Sequence, residues 1–462
     1  MKTLIAALTF ATLGAPGWAR AQDMGEPTPQ LVTPPVAAPT APTATQLPNG
    51  STAASDLPEL TFEQAIALAR KNNRDIKVDR AQLAEAQTAT QSAWASLLPT
   101  IAAQGRYTRN YVQVEFPAGA FGPKPFLLQP LNQWDGVVSG TTPLIAPAAW
   151  AGLKSVDASV TAAEATFQEQ ESSLLLEVGA AFLAAAGTDE LVEARRSSLV
   201  VARATLNDAQ VRLSAGSVTK VDVDRAEYAV VRAEQQERET LTSRDRAYRE
   251  LSTLLQINHP YKVSTSFPTA PMPDPNDVKM ALTLRPEYRA LDFRAKSAEQ
   301  ESNARALLWA PQLSAFGNIR RFNYDNFHLD DYSWAVGAQL DWLLYDGGSR
   351  DAARHQANAR AASAREQAAV LADRVRDDLA NTSADLRTKQ QAVDAAQRAL
   401  VLSKETLELI RTQYTAGTAT QLDLLQAQDA VTVANVALVQ ARFDVAAADL
   451  QFRHAAGTFP PK

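Results

Sequence analysis

The chain has 462 residues, 46% hydrophobic and 21% charged, an ordinary composition for a folded protein. Its formal net charge of -6 and pI near 5.5 argue against nucleic acid, whose binding normally needs a basic face. With no cysteine, disulfides, thiolate metal sites, thiol catalysis and an N-terminal lipidated cysteine are excluded, and four scattered histidines argue against metal catalysis.

Lys2, the apolar run Leu4 to Phe10 and Ala19-Arg20-Ala21 predict a secretory signal peptide over 1–21. Its removal takes two basic residues and no acid, leaving a charge of -8. No later run approaches the roughly 20 apolar residues of a membrane helix, so strands would have to cross any membrane. Residues 22–57, rich in Pro, Thr and Ala, predict an extended or disordered tail.

A first structural repeat is predicted over 58–258. It opens with helix 60–98, which Pro99 stops. The period then becomes two: strand 101–112 alternates Ile101, Ala103, Gly105 and Tyr107 with Gln104, Arg106 and Thr108. A loop over about 115–131 leads to strand 132–142. Helix 148–214 and a return helix 219–257 follow, separated by a turn at Gly216. A Pro-rich connector, 259–277, leads to a second repeat over 278–458. It comprises helix 278–310, strands 313–323 and 333–343, and helices 348–415 and 420–457.

The duplication is written in the apolar period. Leu379, Leu386, Val393, Leu400, Leu407 and Tyr414 fall every seventh residue and end at Gly417. Subtracting 201 gives Val178, Ala185, Val192, Leu199, Leu206 and Leu213, ending at Gly216. Helix 348–415 would be about 100 Å long at 1.5 Å per residue, matching two shorter helices end to end. Four strands of about ten residues suit a tilted bilayer crossing, with Ile101, Tyr107, Leu313, Ile319, Trp334, Val336, Leu340 and Trp342 toward lipid. Trp134, Trp334 and Trp342 suit an interfacial aromatic belt. Gln104, Arg106, Asn318, Arg320, Gln339 and Asp341 suit a wet lumen. Four strands cannot close a barrel, and open edges in lipid are prohibitive, so several copies must share one.

These features, with Leu60-Thr61-Phe62-Glu63-Gln64-Ala65, Leu98-Pro99, Thr142-Pro143-Leu144, Leu213-Ser214-Ala215-Gly216, Arg285-Pro286-Glu287, Ala310-Pro311, Leu343-Leu344-Tyr345-Asp346-Gly347-Gly348 and Tyr414-Thr415-Ala416-Gly417, make the chain resemble the TolC-like outer membrane efflux proteins over about 58–458. The resemblance implies a mainly α fold with membrane β: a homotrimer whose twelve-stranded outer-membrane β-barrel continues into a periplasmic α-helical barrel of coiled coils. It implies a passive exit duct without cofactor or catalysis, partnered by a periplasmic adaptor and an inner-membrane transporter, carrying drugs, small molecules or polypeptides. Gly216 and Gly417 match the helical turns where adaptors dock. Asp423 matches the first of two entrance aspartates, the second falling on Gln426. Asp222 matches an acidic residue that bolts the entrance to an arginine. That arginine position is Ala419 here, with Lys220 or Arg225 as candidate substitutes.

The residues alone leave one alternative, a soluble periplasmic coiled-coil scaffold or adaptor. Asp346-Gly347-Gly348 lacks nucleotide-loop spacing and is expected to turn strand into helix. No catalytic grouping or nucleophile motif appears in the sequence.

Overall fold

A computed structural model describes residues 57–120, 122–123, 125–265, 272–325 and 331–460. The predicted signal peptide, the tail through residue 56, and Pro268 and Pro271 of the connector lie outside the described residues.

The first half begins with a two-residue strand, β1 (Glu59–Leu60), and helix α1 (Phe62–Asn72). A reciprocal cap starts α1: Gln64 N–H donates to the Thr61 hydroxyl at 3.3 Å, and Thr61 N–H donates to Gln64 Oε1 at 3.0 Å. The expected helix 60–98 is not continuous. Asn73 interrupts it, its Oδ1 accepting from the N–H groups of Asp75 (2.8 Å) and Ile76 (3.2 Å) to start α2 (Arg74–Ala95). The same side chain donates to the Leu254 carbonyl at 2.9 Å, so a 3% exposed asparagine ties the break to the neighbouring hairpin.

Strand β2 (Thr100–Arg109) follows, then a short hairpin, β3 (Val114–Phe116) and β4 (Phe126–Gln129), inside the expected loop. Strand β5 (Asn132–Ile145) leads into α3 (Pro147–Ser214), with proline at its first turn, and α4 (Lys220–Leu255) returns. In the connector, β6 (Lys262–Val263) pairs in parallel with β1 and clasps the start of this half to its end.

The second half repeats the device. Pro286 splits the expected helix 278–310 into α5 (Val278–Leu284) and α6 (Pro286–Ala306), followed by a 3₁₀ turn over Leu307–Trp309. Arg285 stands at this break 212 residues after Asn73, the same offset that relates Pro99 to Pro311. Then come β7 (Gln312–Phe322), β8 (Tyr332–Asp341), α7 (Ser349–Thr415) and α8 (Gln421–Ala455). Trp342 therefore lies just beyond its strand, with its indole N–H on the Trp309 carbonyl at 3.1 Å. Asp346 does turn strand into helix, its carboxylate accepting from Gly348 N–H at 3.1 Å and Arg350 N–H at 2.9 Å.

Most of the heptad seam positions are buried, but Leu206, Val393 and Leu407 are half-buried and Leu213, at the open tip, is exposed. Val178, Ala185, Val192 and Leu199 on α3, and Leu379, Leu386, Leu400 and Tyr414 on α7, are all below 9% exposed. In the first part of α3, however, Val160, Phe167 and Leu174 are only half-buried. The fully buried line there runs through Ala162, Ala165, Ser172 and Leu175. That stretch of α3 is gripped from two sides, by α2 and by α6, so a single stripe does not describe it. Two larger cores surround the helix breaks, one around Phe62, Phe182 and Leu251, the other around Val375, Leu379 and Phe452.

Helix α8 passes a length and hydropathy test for a membrane span, at mean hydropathy 1.3, which the apolar-run count missed. It also carries Asp423, Asp429, Asp444, Asp449, Arg442 and Arg453. Its apolar side packs Leu438, Leu450 and Phe452 into the cores, so α8 is a coiled-coil partner.

Candidate functional site

Two regions carry candidate functional residues: the tips of the helical hairpins and the sheet.

At the tips, α3 and α7 end in the same way. Gly216 (φ +76°) and Gly417 (φ +79°) adopt the left-handed conformation. Ser217 N–H donates to the Arg212 carbonyl, and Thr418 N–H to the Gln413 carbonyl, both at 2.9 Å. This six-residue closure satisfies carbonyls the helix leaves open, and glycine is the residue that makes it without strain. A β-carbon on either glycine would meet no atom within 4 Å, so both tips are sterically open to a partner.

The return helices start alike too. Thr219 donates to Asp222 Oδ2 through its N–H (3.0 Å) and hydroxyl (2.7 Å). Thr420 does the same to Asp423 Oδ2, at 2.9 and 2.6 Å. Asp222 and Asp423 are therefore equivalent residues, 201 apart, each the acid of a capping box. These threonine hydrogen bonds hold both carboxyls below the ordinary carboxylate range, with Arg225 helping at Asp222. Arg225 reaches Asp222 at 3.5 Å from the same helix. Lys220 is exposed beside them, and Ala419 is half-buried in its turn.

Other side chains join the two hairpins within the chain. Ser198, Thr205 and Arg212 fall every seventh residue along α3, one position before the apolar seam. Ser198 meets the Thr432 hydroxyl at 3.1 Å, and Gln428 donates to Thr205 at 2.9 Å. The Arg212 guanidinium stacks 4.6 Å from the centre of the Tyr414 ring. Across the other side, Arg232 of α4 faces Asp429 of α8 at 3.7 Å. Hence apolar seams hold each hairpin together, and the hairpins meet each other through Leu450 and Phe443 of α8 against Gly179 and Gly187 of α3 near the helix breaks but through a polar ladder toward the tips. Tyr414 is 7% exposed and Gln421 only 4%, yet the Tyr414 hydroxyl and both ends of the Gln421 amide have no hydrogen-bond partner among the described residues. Burial pushes the Tyr414 hydroxyl up, against the pull of Arg212. Sequence reasoning placed Tyr414 in the seam and overlooked Arg212. The seven-residue spacing of Ser198, Thr205 and Arg212 was the available signal.

Beside this ladder, α3, α4 and α8 enclose a groove of about 520 Å³, lined by Val201, Tyr228, Leu422, Leu425 and Gln426 among others. Gln426 thus faces the groove three residues beyond the capping Asp423.

The sheet runs β2-β5-β7-β8, all antiparallel, and its register sorts the side chains onto two faces. One face carries Ile101, Ala103, Tyr107, Trp134, Val138, Leu313, Ile319, Trp334, Val336 and Leu340. The other carries Gln104, Arg106, Asp135, Ser139, Asn318, Arg320, Gln339 and Asp341, with Arg320 on Asp135 at 2.7 Å. Strands β2 and β8 each pair on one side only among the described residues. Where strands meet helices, further exposed aromatics gather: Trp94 packs edge-on against Trp150 at 5.9 Å, and Trp309 lies 4.0 Å beneath the Arg350 guanidinium. These three tryptophans sit on helical turns, where no two-residue alternation marks them.

The sequence pattern of the outer membrane efflux protein family matches residues 65–255 and 278–458. Outer membrane efflux protein BepC of Brucella suis is 22% identical over 311 residues, covering 66% of this chain and 68% of its own. Alkaline protease secretion protein AprF of Pseudomonas aeruginosa is 26% identical over 311 residues, 63% of each chain. In fold, the chain is similar to the outer membrane protein VceC of Vibrio cholerae (TM-score 0.71, 19% identity, 86% of this chain and 96% of that one). It is equally similar to the open-state MtrE outer membrane channel of Neisseria gonorrhoeae (TM-score 0.73, 19% identity, 86% and 88%).

Proposed function

The chain belongs to the outer membrane efflux protein family, and on that premise we propose that it is the exit duct of a tripartite efflux or type I secretion system. It conducts small molecules or polypeptides passively out of the cell from an inner-membrane transporter and a periplasmic adaptor. One observation carries this: a four-stranded sheet, apolar on one face and polar on the other, left open at both edges among the described residues and mounted on α-helices of 67 and 68 residues. Such edges are intolerable in lipid, so three copies close a twelve-stranded barrel, with the Trp134, Trp334 and Trp342 side against outer-membrane lipid. A soluble periplasmic scaffold, the alternative, leaves that apolar face without a purpose.

At the other end the hairpin tips form the entrance. Gly216 and Gly417 offer open turns for an adaptor. Three copies bring three Asp423 carboxylates and three Gln426 amides round one axis, and the carboxylates favour cations there. The polar ladder supports an entrance that opens by parting hairpins, because hydrogen bonds exchange for water at little net cost while apolar seams do not.

Planar-bilayer recordings test this. Asp423→Asn keeps an oxygen that can accept from Thr420 and removes only the charge. Cation selectivity should fall while the oligomer persists. Unchanged selectivity would sink the entrance assignment, and absence of any conductance in the native protein would sink the duct.

A further inference from the structure

The lipid-facing side of the sheet holds two residues that do not belong in hydrocarbon. Of all positions the register places on that face, only Arg109 and Arg321 are charged. Each lies ten residues past the proline that ends its half's first helical stretch, Pro99 or Pro311. In a ring of repeated halves, equivalent positions share one height, so a trimer carries six arginines at one level. Each stands eight residues above Ile101 or Leu313, about 26 Å along the strand. With the usual barrel tilt that is about 20 Å of depth, which puts them at the loop end of the apolar band. Tyr107, Trp134 and Tyr332 occupy the same rim and face. At the helical end of this face there is no basic residue.

The arginines' present contacts are weak ones. Arg109 Nη1 donates to Asn132 Oδ1 at 2.7 Å, an oxygen that also accepts from the Tyr107 hydroxyl at 3.0 Å. Arg321 Nη2 meets Asp331 at 2.9 Å with both side chains more than 60% exposed, a pair worth little in water. A guanidinium fork fits phosphate in two-point geometry.

We propose that Arg109 and Arg321 form a binding rim for the phosphorylated glycolipid of the outer leaflet, its phosphates on the arginines and its sugars against Tyr107, Trp134 and Tyr332. This rests on the outer-membrane reading above, and it assigns that surface a ligand chemistry: an anionic phosphate on a sugar headgroup. The one-sided placement favours a lipid confined to one leaflet.

Native mass spectrometry of the detergent-solubilised full chain tests it with four probes: bis-phosphorylated lipid A, phosphate-free lipid A, phosphatidylglycerol and phosphatidylethanolamine. Bis-phosphorylated lipid A should bind about tenfold more tightly than the phosphate-free form. R109Q/R321Q should abolish that preference, and R106Q, on the wet face, should keep it. Equal binding of both lipid A forms, or phosphatidylglycerol binding as well as lipid A, would overturn the proposal, as would a double variant that retains the preference. Should R109Q/R321Q fail to assemble, the phosphate comparison on the native protein still decides. Planar-bilayer conductance of the native preparation separates failure of the rim from failure of the duct: no lipid preference in the native protein with intact conductance rejects the rim alone.

Discussion

Asp222 and Asp423 each cap a return helix, and under the proposed reading the same carboxyls also face the entrance. Each is fixed by a threonine at the start of a return helix, so the helix start demands an acid whatever passes the entrance. Removing the partner threonine separates the roles. Thr219→Ala and Thr420→Ala should each cost about 1 kcal/mol at the tip, and hydrogen exchange over the first turns of α4 and α8 should quicken about fivefold. The two caps also set an acid limit. Because both carboxyls sit below their ordinary value, their stabilisation is complete above about pH 4 and fades as pH falls through the folded values. His454 acts nearer neutrality. Burial holds its ring below 6.5, with Arg285 adding to the effect and Glu169 and Asp378 opposing it. The folded chain thus holds that proton less tightly than the unfolded one, so stability drops as pH falls below about 6.5. Glu287, raised first by burial and then by Glu169, has the opposite sign and gains when protonated. Thermal melts at pH 7 and pH 5 should therefore converge in His454→Gln, by about 1.4 kcal/mol for each unit of depression removed.

At the level of elements, the decisive contrast toward the tips is between apolar seams within hairpins and the polar ladder between them. An arginine over an aromatic ring is worth about 0.5–2 kcal/mol, so Arg212→Ala should shift the closed-to-open balance by roughly 2- to 30-fold. Open probability in single-channel recordings should rise, while the thermal midpoint stays put because Leu199, Leu206 and the α7 seam are untouched. An unchanged open probability would mean the hairpins are held elsewhere. The seams were legible in sequence because a heptad repeats locally and often. The ladder was not, because Ser198, Thr205 and Arg212 share a period without sharing a chemistry. The helix breaks were hidden for a related reason. Leu60 to Leu98 keeps helical composition throughout, and only the capping of α2 by Asn73, braced on Leu254, shows why the chain stops and restarts. Arg285-Pro286 did advertise the second break, since the residue before a proline leaves the helical region. The β1–β6 clasp joins residues two hundred apart and has no local signature at all.

For the molecule as a whole, the two faces of the sheet must meet two different solvents, and substitutions can ask which is which. Val336 lies mid-strand on the apolar face and is 74% exposed in the single chain, whereas Gln339 lies on the polar face of the same strand. In a closed barrel, Val336→Arg puts a charge into hydrocarbon at a cost of about 2–4 kcal/mol per copy, and three copies multiply the cost. Gln339→Arg points into water and costs little, but adds three positive charges to the lumen. The expected pair of outcomes is specific: Val336→Arg loses the heat-sensitive oligomer from the outer-membrane fraction, and Gln339→Arg retains it with selectivity moved toward anions. In a soluble scaffold both positions would face water, and the two variants would behave alike. Since β2 and β8 are both open edges among the described residues, the proposed barrel would exist only when other copies supply the missing neighbours. Face, edge and oligomer therefore stand or fall as one physical requirement, that no backbone N–H or carbonyl be left unpaired in lipid.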